Sequence, residues 1–235
     1  MQRWYEKFNF YEDPFLAKPG AFETVGTNGL LDELAYRINS GSMVFLEGSE
    51  GSGKSAVLRQ LIGRFRGRKK VIYFDCASIA KSLNIERLMK ERYGLTGRIF
   101  GVIPKDMILL LDGVKHLSKK NSERVKYYFD QNYLKAVVFT GDSYQKAELP
   151  ESVRHRIGKR VVRMPGFTEE MAVELVRKRI GGSRLLPDEV IKKIYKHSGN
   201  SPKKLLESCS AACRTAFEAG AEQVGEEHLR IFGDS

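Results

Sequence analysis

Residues 48–55 read Gly48-Ser49-Glu50-Gly51-Ser52-Gly53-Lys54-Ser55, between a short apolar run and a helix-patterned stretch. The segment fits G-x-x-x-x-G-K-[ST] at every position. Met43, Val44, Phe45 and Leu46 before it read as a buried strand. Val57, Leu58, Leu61, Ile62 and Phe65 behind it recur at the spacing of one helix face. The glycines let the backbone curl so that successive N–H groups face inward. The helix that starts there adds the positive end of its dipole. Such a cradle suits a polyphosphate. Main-chain N–H groups donate to phosphate oxygens, Lys54 reaches the β- and γ-phosphates, and the Ser55 hydroxyl turns to Mg²⁺. The expected nucleotide-holding set is Gly48, Ser49, Glu50, Gly51, Ser52, Gly53, Lys54, Ser55 and Ala56.

The rest of the chain repeats the alternation. Leu30, Leu31, Leu34, Ala35 and Ile38 predict a helix stopped by Gly41. Apolar runs at 71–74, 107–111 and 136–139 predict further strands, and 160–164 a fifth, ended by Pro165. Helices fall between them around Ile85, Leu88 and Met89, and around Val125, Tyr128 and Phe129. This order implies an α/β fold, a parallel five-stranded P-loop sheet with helices on both faces. Beyond Pro165-Gly166 only helical patterns remain. One lies around Met171, Leu175 and Val176. A second is opened by Pro187 and Asp188, and a third by Ser201-Pro202. A short fourth spans 226–232. The expected division is an N-terminal segment, 1–22, packing on the core; an α/β core, 23–165; and a small all-helical lid, 166–235.

The third apolar run ends in Asp112, which places a carboxylate at a strand's C-terminal end, where Mg²⁺ and its water shell sit. Ser55 and Asp112 are thus the expected metal-side residues. With these motifs together the chain resembles the AAA+ ATPases. The likeness is to the archaeal initiator branch (origin-recognition and Cdc6-type proteins) and to ExeA-like and transposition-helper ATPases. Tyr11-Glu12-Asp13-Pro14-Phe15 is similar to that group's N-terminal "-PF-" segment. The resemblance implies an ASCE/AAA+ sheet, and it puts Val25 and Gly26 beside adenine. It makes Thr140 in Phe139-Thr140-Gly141-Asp142 the γ-phosphate sensor, and Arg154 or Arg156 the finger acting on a neighbouring subunit's nucleotide. In Gly199-Asn200-Ser201-Pro202-Lys203-Lys204 it gives Lys203 or Lys204 the place of an arginine. A lysine lacks the planar guanidinium fork, so sensing there differs from the family's. The implied catalytic set is Lys54, Asp112, Thr140, Arg154 and Arg156.

One departure bears on turnover. The family pattern at 112–113 is Asp-Glu, and this chain has Asp112-Gly113. Loss of a positioned general base costs about 10²- to 10⁴-fold in rate. ATP is therefore expected to bind and to hydrolyse slowly. Asp75 and Asp142 are other strand-end carboxylates that the sequence does not place beside the attacking water.

Forty basic against 29 acidic residues leave a net charge of +11, which suggests a polyanionic partner such as DNA. The basic residues cluster at Arg64, Arg66, Arg68, Lys69 and Lys70; at Arg154, Arg156, Lys159, Arg160 and Arg163; and at Lys192, Lys193, Lys196, Lys203 and Lys204. Initiators usually carry a winged helix after the lid. This sequence stops at Ser235, so DNA contact is expected from core or lid. Cys76, Cys209 and Cys213 build no disulfide framework and read as buried packing. His116, His155, His197 and His228 lack metal-ligand spacing, and the aromatics around Trp4 read as packing. No apolar run is long enough to span a membrane, and no signal peptide is evident, so a cytoplasmic location is expected. Two functions compete. The first is a nucleotide-switched ATPase on DNA in replication, recombination or transposition, self-associating or joined to another AAA+ subunit. The second is an ATP-latched protein-interaction module of a secretion, signalling or remodelling machine. A small-substrate kinase fits the strand-ending Asp112 and the long lid poorly.

Overall fold

A computed structural model describes residues 3–16, 24–65, 70–78, 84–92 and 105–232. Arg66, Arg68 and Lys69 of the first basic cluster lie outside these residues, as does part of the 1–22 segment. The chain divides into two compact units. One comprises Met1–Gly26, Glu50–Gly53 and Gly166–Ser235; the other comprises Thr27–Ser49 and Lys54–Pro165.

The second unit is the expected α/β fold. Its parallel five-stranded sheet has the order β2-β3-β4-β1-β5. The strands are β1 Met43–Glu47, β2 Val71–Asp75, β3 Met107–Asp112, β4 Leu134–Gly141 and β5 Val161–Arg163. β3 is buried throughout, as a central parallel strand covered on both faces must be. Its side chains alternate between two cores. Leu109 and Leu111 join Phe45, Ile72, Val137 and Phe139 on one face. Ile108 and Leu110 join Val44, Leu46, Val71 and Val138 on the other.

Helices close both faces. Leu31, Leu34 and Ile38 from Asn28–Asn39, and Val57, Leu58 and Leu61 from Lys54–Arg64, cover one. Met89 from Ile85–Arg92, Val125 from Lys119–Asp130, and Val153 and Ile157 from Glu151–Ile157 cover the other. With Trp4–Lys7 as α1, these five are α2 to α6 in chain order. Parallel strands bring every strand's C-terminal end to one edge. The loop after β1, Asp112, Thr140 and Asp142 therefore arrive together.

The first unit is helical: α7 Glu169–Ile180, α8 Asp188–His197 and α9 Pro202–Glu218. The last two begin at the start signals read in the sequence, Pro187-Asp188 and Ser201-Pro202. Thr168 accepts the Met171 N–H at 3.3 Å, and Ser201 accepts that of Lys204 at 3.4 Å with Pro202 in the first turn. Asp188 and Glu189 open α8, while Lys196 and His197 close it, in the sense the helix dipole favours. Residues 226–232 form a 3₁₀ helix rather than an α-helix.

The N-terminal segment, expected on the α/β core, packs into this helical unit instead. Trp4 stacks on Phe15 at 6.2 Å between ring centroids, and both join Val176, Leu205 and Cys209 in one cluster. Arg179 donates to the Leu16 carbonyl at 3.1 Å, and Ser210 donates to Asp13. The apolar stripe of α9 requires cover, and Trp4 and Phe15 supply it.

Candidate functional site

Lys54 opens α3 directly after the glycine-rich loop. Gly51 and Gly53 take positive φ values of 77° and 98°, backbone conformations that glycine reaches without strain. The Lys54 ammonium donates to the carbonyls of Gly48 and Ser49, the latter at 2.9 Å, and to Asp142 Oδ1 at 3.0 Å. These three acceptors match its three donors. Its side chain is 11% exposed, against 52% for Asp142. Ser55 and Ala56 follow in the first turn of α3.

Asp112 ends β3 as a buried carboxylate. Its Oδ1 accepts from the Thr140 hydroxyl at 2.9 Å, and its Oδ2 accepts from the Tyr73 hydroxyl at 2.7 Å. Thr140 Oγ1 in turn accepts the Gly113 N–H at 2.9 Å. Gly113 itself lies in the left-handed region, φ 75° and ψ 60°. Burial, then the Asp112 hydrogen bond and charge, push the Tyr73 hydroxyl well above its ordinary pKa, so it stays a neutral donor. The Arg59 guanidinium lies 5.0 Å from the centre of the Tyr73 ring.

The two arginines of α6 are placed differently. Arg154 donates to the carbonyls of Tyr144 at 3.0 Å and Leu149 at 3.3 Å, and to those of Gln145 and Ala147. Its guanidinium also lies over the Tyr144 ring at 5.0 Å, and the Tyr144 hydroxyl donates back to the Arg154 carbonyl at 3.2 Å. Arg156 is half exposed and pairs with Asp130 at 3.1 Å.

In the helical unit, the Lys203 N–H donates to the Gly51 carbonyl at 3.3 Å, and the Lys203 side chain lies 3.9 Å from Glu207. Lys204 is exposed. Val25 is buried, and a side chain on Gly26 would overlap the Met171 methyl.

Two observations bear on fit to a nucleotide and its metal. Ser52 Oγ is buried and has no hydrogen-bond partner among the described residues, a donor left for an anion in the loop. The Ser55 hydroxyl and the Asp112 carboxylate are hard oxygen donors of the kind Mg²⁺ takes while keeping most of its waters. No group of three or more His, Cys, Asp or Glu that could cage a metal lies among the described residues.

Sequence reasoning singled out Asp112 and Thr140 but missed Tyr73. The available signal was one polar ring inside the apolar run Val71-Ile72-Tyr73-Phe74, on the strand face that Asp75 shares.

A family model described as an AAA domain (AAA_14) matches residues 40–171, more than half of the chain. Among solved structures, Cdc6p of Pyrobaculum aerophilum superposes with a TM-score of 0.71 at 14% identity, covering 93% of this chain and 69% of that one. Aeropyrum pernix ORC1, in a complex with DNA, gives 0.73 at 18%, covering 93% and 67%. The Thermotoga maritima RuvB Holliday junction branch migration motor gives 0.67 at 14%, covering 93% and 72%. At such identities the likeness is one of fold. The mitochondrial iron–sulfur clusters transporter atm1 of Neurospora crassa is 34% identical over 87 residues, 37% of this chain and 11% of that protein. The matched stretch is thus a small part of that relative's length.

Proposed function

Because this chain belongs to the AAA domain family and is an AAA+ P-loop ATPase of the Cdc6/origin-recognition type in fold, we propose that it binds ATP with Mg²⁺ and switches on DNA. The observation that carries the nucleotide reading is Lys54, whose ammonium points into its own loop at the carbonyls of Gly48 and Ser49. A triphosphate offers stronger anionic acceptors in the same place. Mg²⁺, when bound, neutralises charge between the β- and γ-phosphates. Ser55 and Asp112 are the residues that would hold it. Thr140, bonded to both Asp112 and Gly113, ties the ends of β3 and β4 into one polar unit beside the loop. With no side chain at residue 113, the water-orienting carboxylate must come from another position, so turnover is slower than with a glutamate there, and the bound nucleotide acts chiefly as a switch.

DNA association rests on the +11 charge and on a fold shared with Aeropyrum pernix ORC1, whose solved structure is a complex with DNA. Sequence-independent phosphate contacts are the mode that exposed lysines such as Lys196 and Lys204 support. A second reading, a latch for protein partners, draws on the many basic side chains already occupied. Lys192 pairs with Glu189, Lys193 with Glu226, Arg156 with Asp130 and Arg163 with Glu47. Subunit contact through α6 is common to both.

One experiment separates them. Labelled ATP and duplex DNA are titrated against the wild type and Lys54→Ala at two salt concentrations. Nucleotide affinity is expected to fall about 10- to 100-fold in the variant, the size of a lost charged hydrogen bond. DNA binding is expected to weaken steeply with salt and to respond to ATP in the wild type alone. Absence of DNA binding at low salt removes the first reading and leaves the second. Failure of the wild type to retain nucleotide removes both.

A further inference from the structure

Phosphoryl transfer to water needs a group that orients the attacking water, and a carboxylate is the usual one. The sheet's C-terminal edge offers Glu47, Asp75, Asp112 and Asp142, each at or just past the end of a strand. Three of them are committed elsewhere. Glu47 accepts the Tyr144 N–H at 2.8 Å through one oxygen and Arg163 at 2.8 Å through the other. Asp75 accepts the Ala77 N–H at 2.9 Å and so caps the turn that follows β2. Asp112 is buried, with one oxygen taken by Thr140 and the other by Tyr73. Asp142 holds Lys54 and remains half exposed.

Its position is set by the chain on both sides. Gly141 pairs in register with Glu47, the residue before the loop, and the Gly141 carbonyl accepts the Gly48 N–H at 3.1 Å. Asp142 is therefore anchored against the first residue of the loop, and its carboxylate reaches the one side chain whose task is to meet the β- and γ-phosphates.

We propose that Asp142 supplies the carboxylate that residue 113 lacks: it holds Lys54 while the loop has no phosphate, and orients the attacking water once ATP has taken Lys54 over. This rests on the nucleotide-binding reading above. In the bound form Lys54 exchanges the carboxylate for phosphate oxygens. Asp142 is then an unpaired anion next to the γ-phosphate, able to accept a hydrogen bond from water. As the water oxygen bonds to Pγ, the bond from Pγ to the β–γ bridging oxygen breaks and a water proton passes to Asp142. The products are ADP and inorganic phosphate, and the proton returns to solvent. Electron pairs move only from water to phosphorus and from phosphorus to the leaving oxygen, so no further reactant is required.

The test uses the full chain as wild type, Asp142→Asn, Asp142→Ala and Asp142→Glu. Binding of fluorescent ADP and ATP is measured at equilibrium, and phosphate release in a single turnover. With the competing anion removed, Asp142→Asn is expected to bind ADP about two- to fivefold more tightly, the range of a part-exposed ion pair. Its phosphate release is expected to fall about 100-fold or more, with Asp142→Ala matching it and Asp142→Glu recovering part of the rate. A purely structural Asp142 would lose binding and rate together. Wild-type release rates in Asp142→Asn, or a wild type that binds ATP and releases no phosphate above background, overturn the inference alone. A wild type that binds no nucleotide overturns the underlying reading and the inference with it.

Discussion

Gly113 stands where the resembled family carries a glutamate, and its backbone conformation is one that glycine holds without strain. At φ 75° it occupies the left-handed region, which costs a side-chain-bearing residue about 1–2 kcal/mol. In that conformation its N–H points to Thr140 Oγ1, and Thr140 in turn donates to Asp112. Thr140 thus acts twice, as acceptor for a loop amide and as donor to a buried carboxylate. Replacing it with valine keeps its shape but leaves both partners unsatisfied. Each such loss costs about 1–3 kcal/mol, more where the group is charged. Thr140→Val is therefore expected to lower unfolding stability by about 2–4 kcal/mol in urea titration. A loss below about 0.5 kcal/mol would show that the triad Asp112–Thr140–Gly113 is not satisfied as described.

The unit of interest at the next scale is α6 with the loop before it. Arg154 gathers the carbonyls of Tyr144, Gln145, Ala147 and Leu149, and the Tyr144 N–H donates to Glu47. The loop that leaves the end of β4, where Asp142 sits, is therefore tied to the helix that carries Arg154 and Arg156. One of the two, Arg154 or Arg156, was expected as the finger for a neighbouring subunit, and their surroundings differ. Removing Arg154 leaves several carbonyls short of a donor and strips the cation from the Tyr144 ring. Arg154→Ala is expected to cost about 2 kcal/mol or more in thermal or urea unfolding of the isolated chain. Arg156→Ala breaks only a half-exposed pair and is expected to cost about 0.5 kcal/mol or less. If Arg154→Ala proves as stable as the wild type, its carbonyl contacts carry no weight and it is free for a role in trans.

For the molecule as a whole, the three cysteines give a test that both units must pass. Cys76 belongs to the α/β unit, and Cys209 and Cys213 to the helical one; all are buried. Burial, then the charges of Asp112 and Asp75, push the Cys76 thiol up to about 12, and burial raises Cys209 and Cys213 as well. A raised pKa keeps the thiol protonated, so at pH 8 the thiolate share of Cys76 is about 10⁻⁴. Native protein is expected to resist iodoacetamide at all three, and denatured protein to react at all three. Fast labelling of Cys209 or Cys213 alone would mean that the helical unit opens by itself.

The loop at 48–55, the alternating strands and the helix starts at Pro187-Asp188 and Ser201-Pro202 were legible in the sequence alone. Each depends on residue types at fixed short spacings, and the local backbone obeys such spacings. The attachment of Trp4 and Phe15 to the helical unit was not legible, because an aromatic cluster does not encode which apolar surface receives it. Nor were the partners of Asp112, Lys54 and Arg154. Tyr73, Asp112 and Thr140 meet only because β2, β3 and β4 run parallel in one register, and Asp142 meets Lys54 only because β4 lies beside β1. Local chemistry determined that this chain builds a glycine-rich loop between a buried strand and a helix. Strand order and register decided which partners Asp112, Asp142 and Lys54 meet, since a hydrogen bond is won or lost within an ångström that no spacing along the sequence specifies.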